Sequence, residues 1–475
     1  MTLTEIVCSV RGGSAAEEQP GGRGIAHLAE HLVATAAAAE MERSGTAALL
    51  NAFTSREATS FRWSVAAEDV STSLRCFQDA VQRVTLDPAG LEAEKKVVLR
   101  EIEQSHDRLA RGEEPPVCGY PSLVRDVTTH DVRAYMTRIY QTGNMSVRTT
   151  AAKPPLSNGA HILVRGGVFA GPACSLMARL LTRNAPETYY SFCDENFVGL
   201  SGDDPGTLRA LALQPTFAGF EEEKAKPLRL RPMRALQMEL KKALYQTHPY
   251  RLCESETPDT ITLDDVVACH RRLFVTSELE PHLEERGQPQ SFAVEKPWPF
   301  GALAIGFRGI PFDEESWPAL ELVKALLVGP SNNSVRGRFT RAMREDGVAY
   351  TVTGLNQAGF GEGYFALLAA IAPDREAEAI DVAAREIERL RDGEVGRDEF
   401  EHCRKLYLLD ARKRAEEPRA QAYATGTLRL FGADPARVEA RLRTLNITDI
   451  VAAAAHAFRE STKSMVVVRP QGDPS

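Results

Sequence analysis

The chain has 475 residues and a mass of 52.1 kDa, too long for one hydrophobic core, so two or three domains are expected. Hydrophobic residues make up 43% and charged residues 26%, as in ordinary globular proteins, and no apolar run reaches the ~18–20 residues of a membrane span. A net charge of −8 argues against a nucleic-acid binder that works through a basic surface, so neither nucleic acid nor membrane is expected as a partner.

In chain order, MTLTEIVCSVRGG lacks a basic segment followed by an apolar one and does not read as a secretory signal. Together with eight scattered cysteines, none in C-x-x-C or metal-ligand spacing, this points to free thiols and a cytoplasmic protein. After the flexible GGRG of residues 21–24, IAHLAEHLVATAAAAEMER reads as a helix rich in Ala, Leu and Glu. Its His27 and His31 lie four apart and project to one face, with Glu30 close to that face. Neutral imidazoles suit Zn²⁺, and a carboxylate beside a ligand can take a proton from water at an open coordination position. The pattern is H-x-x-E-H, the reverse of H-E-x-x-H. A coincidence remains open until a third protein ligand is found, since a catalytic zinc needs one.

LLNAFTSREATSFRWSV, residues 49–65, reads as two strands joined by the polar SREA. In LDPAGLEAEKKVVLREIEQ, residues 86–104, Asp87 and Pro88 make a helix start. Glu94, Val97, Val98 and Glu101 then share one face, while Lys96, Arg100 and Glu103 lie on the other. Two carboxylates on an inward stripe are costly unless paired or bound to a metal; the alternative is two rim glutamates in salt bridges.

Further along, VTTHDV from Val127, ITLDDV from Ile261 and LNITDI from Leu445 repeat one outline: an apolar residue, a capping Thr or Asn, then Asp leading into a helix. The first and third are followed by strand-like tails, GNMSVRT and SMVVVRP, which suggests duplicated units. Near the C-terminal end FGALAIGFRG reads as a strand, EESWPALELVKALLVG as a helix and GYFALLAAI as a strand, and GRDEFEHCRKLYLLDARKR echoes the Glu94–Glu101 helix with those two glutamates replaced.

HLAEH followed by E-x-x-V-x-x-x-E resembles the pitrilysin, or inverzincin, family of zinc peptidases, most of all its ~50 kDa chains related to the processing peptidases. The resemblance implies one Zn²⁺ per chain on His27, His31 and Glu101, Glu30 as general base, and Glu94 supporting the site from outside the ligand set. LLNAFTSREATSFRWSV is similar to the family's N-A-x-T-x-x-E-x-T strand pair, which implies a strand edge at Asn51, Ala52 and Phe53 that binds extended peptide by β-augmentation. RAMREDGVAYTV resembles the family's L-R-E-x-x-G-x-x-Y-x-V, one residue tighter, and implies that Arg344 and Tyr350 reach the substrate carbonyl in an oxyanion role, against a turn with a strand-start tyrosine.

The fold implied is α+β, with tandem related α/β lobes, each a sheet covered by helices. Residues 1–151 form the metal-bearing lobe and residues 289–475 a metal-free one, which has no histidine between His282 and His402. Residues 152–288 are either a degenerate half-lobe or an enlarged linker. Within them, SNGAHILVR looks like the strand that usually opens the first lobe, a strand the N-terminus is expected to lack, and MELKKALYQTHPYRL looks like a segment usually found after the third ligand. The implied activity is that of an endopeptidase acting on peptides or unfolded segments in a clamshell homodimer, or heterodimer with a related chain. The rivals are a non-catalytic subunit and a peptide-binding partner without turnover. No G-x-S-x-G elbow or P-loop supports another hydrolase.

Overall fold

The computed structural model describes residues 3–18, 22–83, 88–104, 116–151, 160–226, 230–252, 259–276, 285, 287–330, 337–345 and 347–471. The chain divides into two units. One comprises Met1–Pro154, Ala342–Tyr350 and Asp398–Lys413; the other comprises Pro155–Arg341, Thr351–Arg397 and Arg414–Ser475.

The first unit holds β1 (Leu3–Arg11), β2 (Leu49–Thr54), β3 (Ala58–Ala66) and β4 (Met145–Ala151), in the antiparallel order β2-β3-β1-β4. The expected absence of an opening strand is therefore corrected. LTEIVCSVR is β1, an inner strand whose Ile6, Cys8 and Val10 alternate into the core at the two-residue period of a half-buried strand. Helices α1 (Ile25–Arg43), α2 (Val70–Arg83) and α3 (Pro88–Gln104) join β3 and the Thr129–Ile139 helix in that core. At its centre Trp63 stacks on Phe77 with ring centroids 4.9 Å apart, and the Trp63 indole donates to Ser73 Oγ at 3.1 Å. Asp87, read as the start of α3, lies outside the described residues. The Arg397–Arg414 helix, expected as part of the second lobe, gives its 398–413 stretch to this unit, where Leu406 and Leu409 pack with Leu3 and Ala47.

The second unit contains two sheets, except that Ala349 and Tyr350, which open the strand Ala349–Gln357, are counted with the first unit. One holds β8 (Ser291–Lys296), β9 (Gly301–Arg308), β10 (Ala349–Gln357), β11 (Tyr364–Ile371) and β12 (Lys463–Pro470), in the order β10-β11-β9-β12-β8. The other holds β5 (Ala160–Arg165), β6 (Tyr190–Cys193) and β7 (Phe197–Gly202), in the order β5-β7-β6. A helix follows the first strand of each set: α1 after β1, Ala173–Thr182 after β5 and Trp317–Val328 after β9. A strand–helix–strand–strand frame thus occurs three times with one strand order, the third with the added helix Arg338–Glu345 before β10. Two of the first strands run out through the same four residues, Val10–Gly13 and Val164–Gly167, into 3₁₀ turns at Ser14–Ala16 and Gly167–Ala170. One of these frames, β5 to β7, lies within residues 160–202.

The three repeated hexapeptides are capping boxes. Thr128, Thr262 and Asn446 cap helices and accept from the amides of Asp131, Asp265 and Asp449, whose carboxylates bond back. β4, β8 and β12 come next in the three series, but β8 joins β12 in parallel in the five-stranded sheet. MELKKALYQ is likewise reassigned by packing. The Pro232–Leu244 helix lays Leu236, Leu240 and Leu244 on Ala302, Ala304, Ala366 and Leu368. Gly306 lets it approach, since a Cβ there would sit 3.0 Å from Leu240 and Leu244. Among the described residues no helix is long and apolar enough to cross a membrane.

Candidate metal centre

α1 starts at a fixed point because its N-terminal amides are captured by a buried carboxylate. Glu17 accepts from the amides of Arg23 (3.0 Å), Gly24 (3.1 Å) and Ala26 (3.0 Å). Those donors have no partner within the helix, and negative charge is favoured there. Gly24, at φ 69°, makes the turn into the helix. Buried Ile25, Leu28, Ala29, Leu32 and Val33 seat α1 on the core, which leaves His27 and His31 on a half-buried face.

The two imidazoles stand edge to face with ring centroids 4.7 Å apart. His27, Glu30 and His31 each offer a ligand atom within 4.8 Å of the others. α3 brings Glu94 and Glu101 to the same place, its buried Leu91, Val98 and Ile102 facing the core. Glu101 Oε2 lies 3.6 Å from His27 Nε2 and 3.6 Å from His31 Nε2. That is too long for a hydrogen bond. It is close to the ~3.3–3.5 Å between donors arranged tetrahedrally around an ion with bonds of about 2.0–2.2 Å. Two imidazole nitrogens and one carboxylate oxygen also make the donor chemistry of a zinc site with one open position. The residues fit the ion.

The surrounding groups orient this set. Glu94 Oε2 lies 3.0 Å from His31 Nδ1, so a proton kept on Nδ1 leaves the Nε2 lone pair free; Thr35 Oγ1 in turn donates to Glu94 Oε1 at 3.0 Å. Burial and the neighbouring His31 push His27 down to about 4, so it is the neutral ligand form at neutral pH. Its Nδ1 has no hydrogen-bond partner among the described residues. For His31, burial is outweighed by the carboxylates of Glu101 and Glu94, which raise it to about 10 without metal. Burial would raise Glu94 and Glu101, but His31 overcomes it and holds both low, helped by Arg344.

Glu30 differs from the other two carboxylates. It is 6% exposed, and burial raises it despite the hydrogen bond it accepts from Thr54 Oγ1. A buried carboxylate with raised proton affinity, fixed through one oxygen, has the properties of a general base.

Thr54 ends β2, the edge strand that also carries Asn51, Ala52 and Phe53. Asn51 is exposed and Phe53 is 63% exposed; Asn51 Oδ1 accepts from the Ala52 amide at 2.9 Å. Arg344, in the Arg338–Glu345 helix, belongs to this unit and acts on Glu94 and Glu101 as above. Tyr350 sits in β10, and its side chain lies outside the described residues. The sequence reading missed Glu17, Thr35 and Thr54. Only Thr54 carried a signal, as the threonine of N-A-x-T.

The family description "Insulinase (Peptidase family M16)" matches residues 4–113, and "Peptidase M16 inactive domain" matches residues 260–407. The chain belongs to peptidase family M16. It is similar to the mitochondrial-processing peptidase subunit beta of Blastocladiella emersonii, 35% identical over 98 residues, which cover 19% of this chain and 21% of that one. Against the subunit of the same name from Caenorhabditis elegans it is 26% identical over 148 residues, 27% of this chain and 32% of that one. The matched stretches thus span only about a fifth to a third of these relatives. Among solved structures it is similar to a protease from Helicobacter pylori, with TM-score 0.37 and 15% identity over 99% of this chain and 94% of that one. A peptidase M16 inactive domain from Pseudomonas fluorescens gives TM-score 0.35 and 14% identity over 100% and 94%. The M16 family is generally zinc-dependent, and the match to its N-terminal description spans His27, Glu30, His31, Glu94 and Glu101.

Proposed function

We propose that this M16 chain is a zinc-dependent endopeptidase that hydrolyses peptides or unfolded segments, with Glu30 as general base. The observation that carries the reading is the shared 3.6 Å distance from Glu101 Oε2 to both Nε2 atoms, beside a buried carboxylate that is not part of that trio. His27, His31 and Glu101 would hold the ion. When bound, it supplies Lewis-acid polarisation of the scissile carbonyl and of water.

The remaining steps belong to the protein. Glu94 keeps the His31 proton on Nδ1. Thr54 holds one oxygen of Glu30 and so aims the other. Glu30 takes a proton from the attacking water and delivers it to the leaving amine. Arg344 and Tyr350 are assigned to the developing oxyanion. The β2 edge at Asn51, Ala52 and Phe53 is assigned to backbone pairing with an extended substrate, which binds with little dependence on sequence. A partner chain, identical or related, is also proposed, because the similar proteins are named as subunits. The cytoplasm is proposed as its compartment from cysteine usage alone.

The test is a peptide-mixture digest with zinc analysis on the wild type and Glu30→Gln. The reading predicts that cleavage falls by about 10²–10⁴-fold with zinc retained. Equal cleavage by both would remove Glu30 as base. Zinc bound by the wild type with no cleavage, alone or with a related chain, would favour the non-catalytic reading.

A further inference from the structure

The first strands of the three frames align on an apolar residue followed by Arg and Gly: Val10–Gly12, Val164–Gly166 and Phe307–Gly309. β1 lies between β3 and the antiparallel β4, and β9 lies between β11 and the antiparallel β12. β5 pairs with β7 on one side, and among the described residues it has no strand on the other. Such an edge presents a row of unpaired backbone donors and acceptors.

Exposure marks the same gap. Ile6, Cys8 and Val10 of β1 are buried, as are Leu303, Ile305 and Phe307 of β9. The aligned Ala160, Ile162 and Val164 of β5 are only half-buried. They line a cavity of about 380 Å³, closed across from them by Leu208 and Ala212 of the Pro205–Leu213 helix and by Phe274. The other face of β5 is covered, since a Cβ on Gly426 would sit 3.1 Å from Leu163. The strands that fill this place in the other frames show what it takes. β4 sets Met145 opposite Val10 and Val147 opposite Cys8, and β12 sets Met465 opposite Ile305 and Val467 opposite Leu303. Opposite residues of an antiparallel pair share a face, so each of these strands lays a Met and a Val, two apart, on the face that in β5 borders the cavity.

We propose that the open edge of β5 is a docking seat for an extended peptide strand from another polypeptide. The strand adds antiparallel to β5 and lays alternate apolar side chains, of the size of Met or Val, over Ala160, Ile162 and Val164 and into the cavity. Backbone hydrogen bonds hold it, and the cavity selects the apolar alternation. Arg209 is the one permanently charged side chain lining the cavity, so an acidic residue beside the apolar ones is favoured over a basic one. This seat belongs to the second unit, whereas the β2 edge assigned to substrate belongs to the first.

The test uses the full chain and a fluorescent peptide, ESMVVVE, which copies the Lys463–Arg469 stretch with its two end charges reversed. Anisotropy should show saturable binding, and hydrogen–deuterium exchange should slow at residues 160–165 on addition of the peptide. Methylating two successive peptide amides, one of which must face β5, should weaken binding by at least about tenfold. Arg209→Glu, at an exposed position, should weaken it by about two- to fivefold. No binding, or slowed exchange confined to residues 49–54 of β2, would overturn the proposal. So would β5 amides as protected before peptide is added as those of β1, since the seat would then be filled by this chain itself or by a second copy.

Discussion

The helix after the first strand is put to different uses in the two larger sheets. α1 presents His27 and His31 on a half-buried face, with Glu30 buried beside them. The Trp317–Val328 helix occupies the same place in its frame, and almost all of it is buried and apolar. Both keep one buried carboxylate tied to the strand that follows the helix. Glu30 accepts from Thr54 on β2, and Glu321 accepts from Asn356 on β10 at 2.9 Å. Glu321 is also paired with Lys324 at 2.7 Å, whereas the groups around Glu30 are imidazoles and Glu101. The frame needs the apolar seam but not the histidines. The proposed chemistry lies where the lysine counter-ion is missing and a second helix adds carboxylates.

The comparison can be broken most forcefully at the imidazoles. His27→Leu with His31→Leu makes α1 resemble its counterpart. Bound zinc is expected to fall from one per chain to none, and cleavage by more than about 10²-fold, by metal analysis and peptide assay. Retained cleavage would place the chemistry elsewhere. Next in size is Glu94→Gln, which loosens His31 without removing a ligand; chelator competition should show zinc affinity weakened by about 10–100-fold.

Thr54→Val should cost about tenfold in kcat/KM with zinc unchanged, the loss of one hydrogen bond to a charged group. The matching Asn356→Leu should lower Tm and leave kcat/KM alone, which separates a base-holding strand from a purely structural one. Glu17→Ala strips the start of α1 of its acceptor and should cost about 1–3 kcal/mol in denaturant unfolding. The smallest effect is on pH. Metal-free His31 is raised to about 10 because Glu101 and Glu94 outweigh burial. A folded value above the unfolded one, near 6.5, gives stability that is complete below about pH 6.5 and lost as pH climbs through about 10. Metal-free protein should therefore become easier to unfold between pH 7 and 10, and His31→Gln should flatten that slope.

What the sequence disclosed and what it hid follow from the range of each interaction. The His27–His31 and Glu94–Glu101 pairs are periodic within single helices, so spacing alone puts each pair on one face. The capping boxes are equally local and stand where they were expected. Glu17 escaped notice because its partners lie across a loop and are backbone amides, which leave no trace in side-chain pattern. Thr35 was one of several small residues in an alanine-rich helix until α3 brought Glu94 to it. β1 was misread because its alternation with Thr, Glu and Ser is quieter than the apolar run of HILVR, although both open the same kind of frame. Which sheet β8 and the Pro232–Leu244 helix join is decided by packing over long sequence distances.

The account turns on Glu101 completing the ligand set from a second helix. The most direct measurement is zinc per chain after exhaustive dialysis, compared between the wild type and Glu101→Ala, with circular dichroism to show both folded. One zinc in the wild type and almost none in the variant is the predicted result. A variant that keeps zinc as firmly as the wild type, or a wild type that never holds it, would contradict the account.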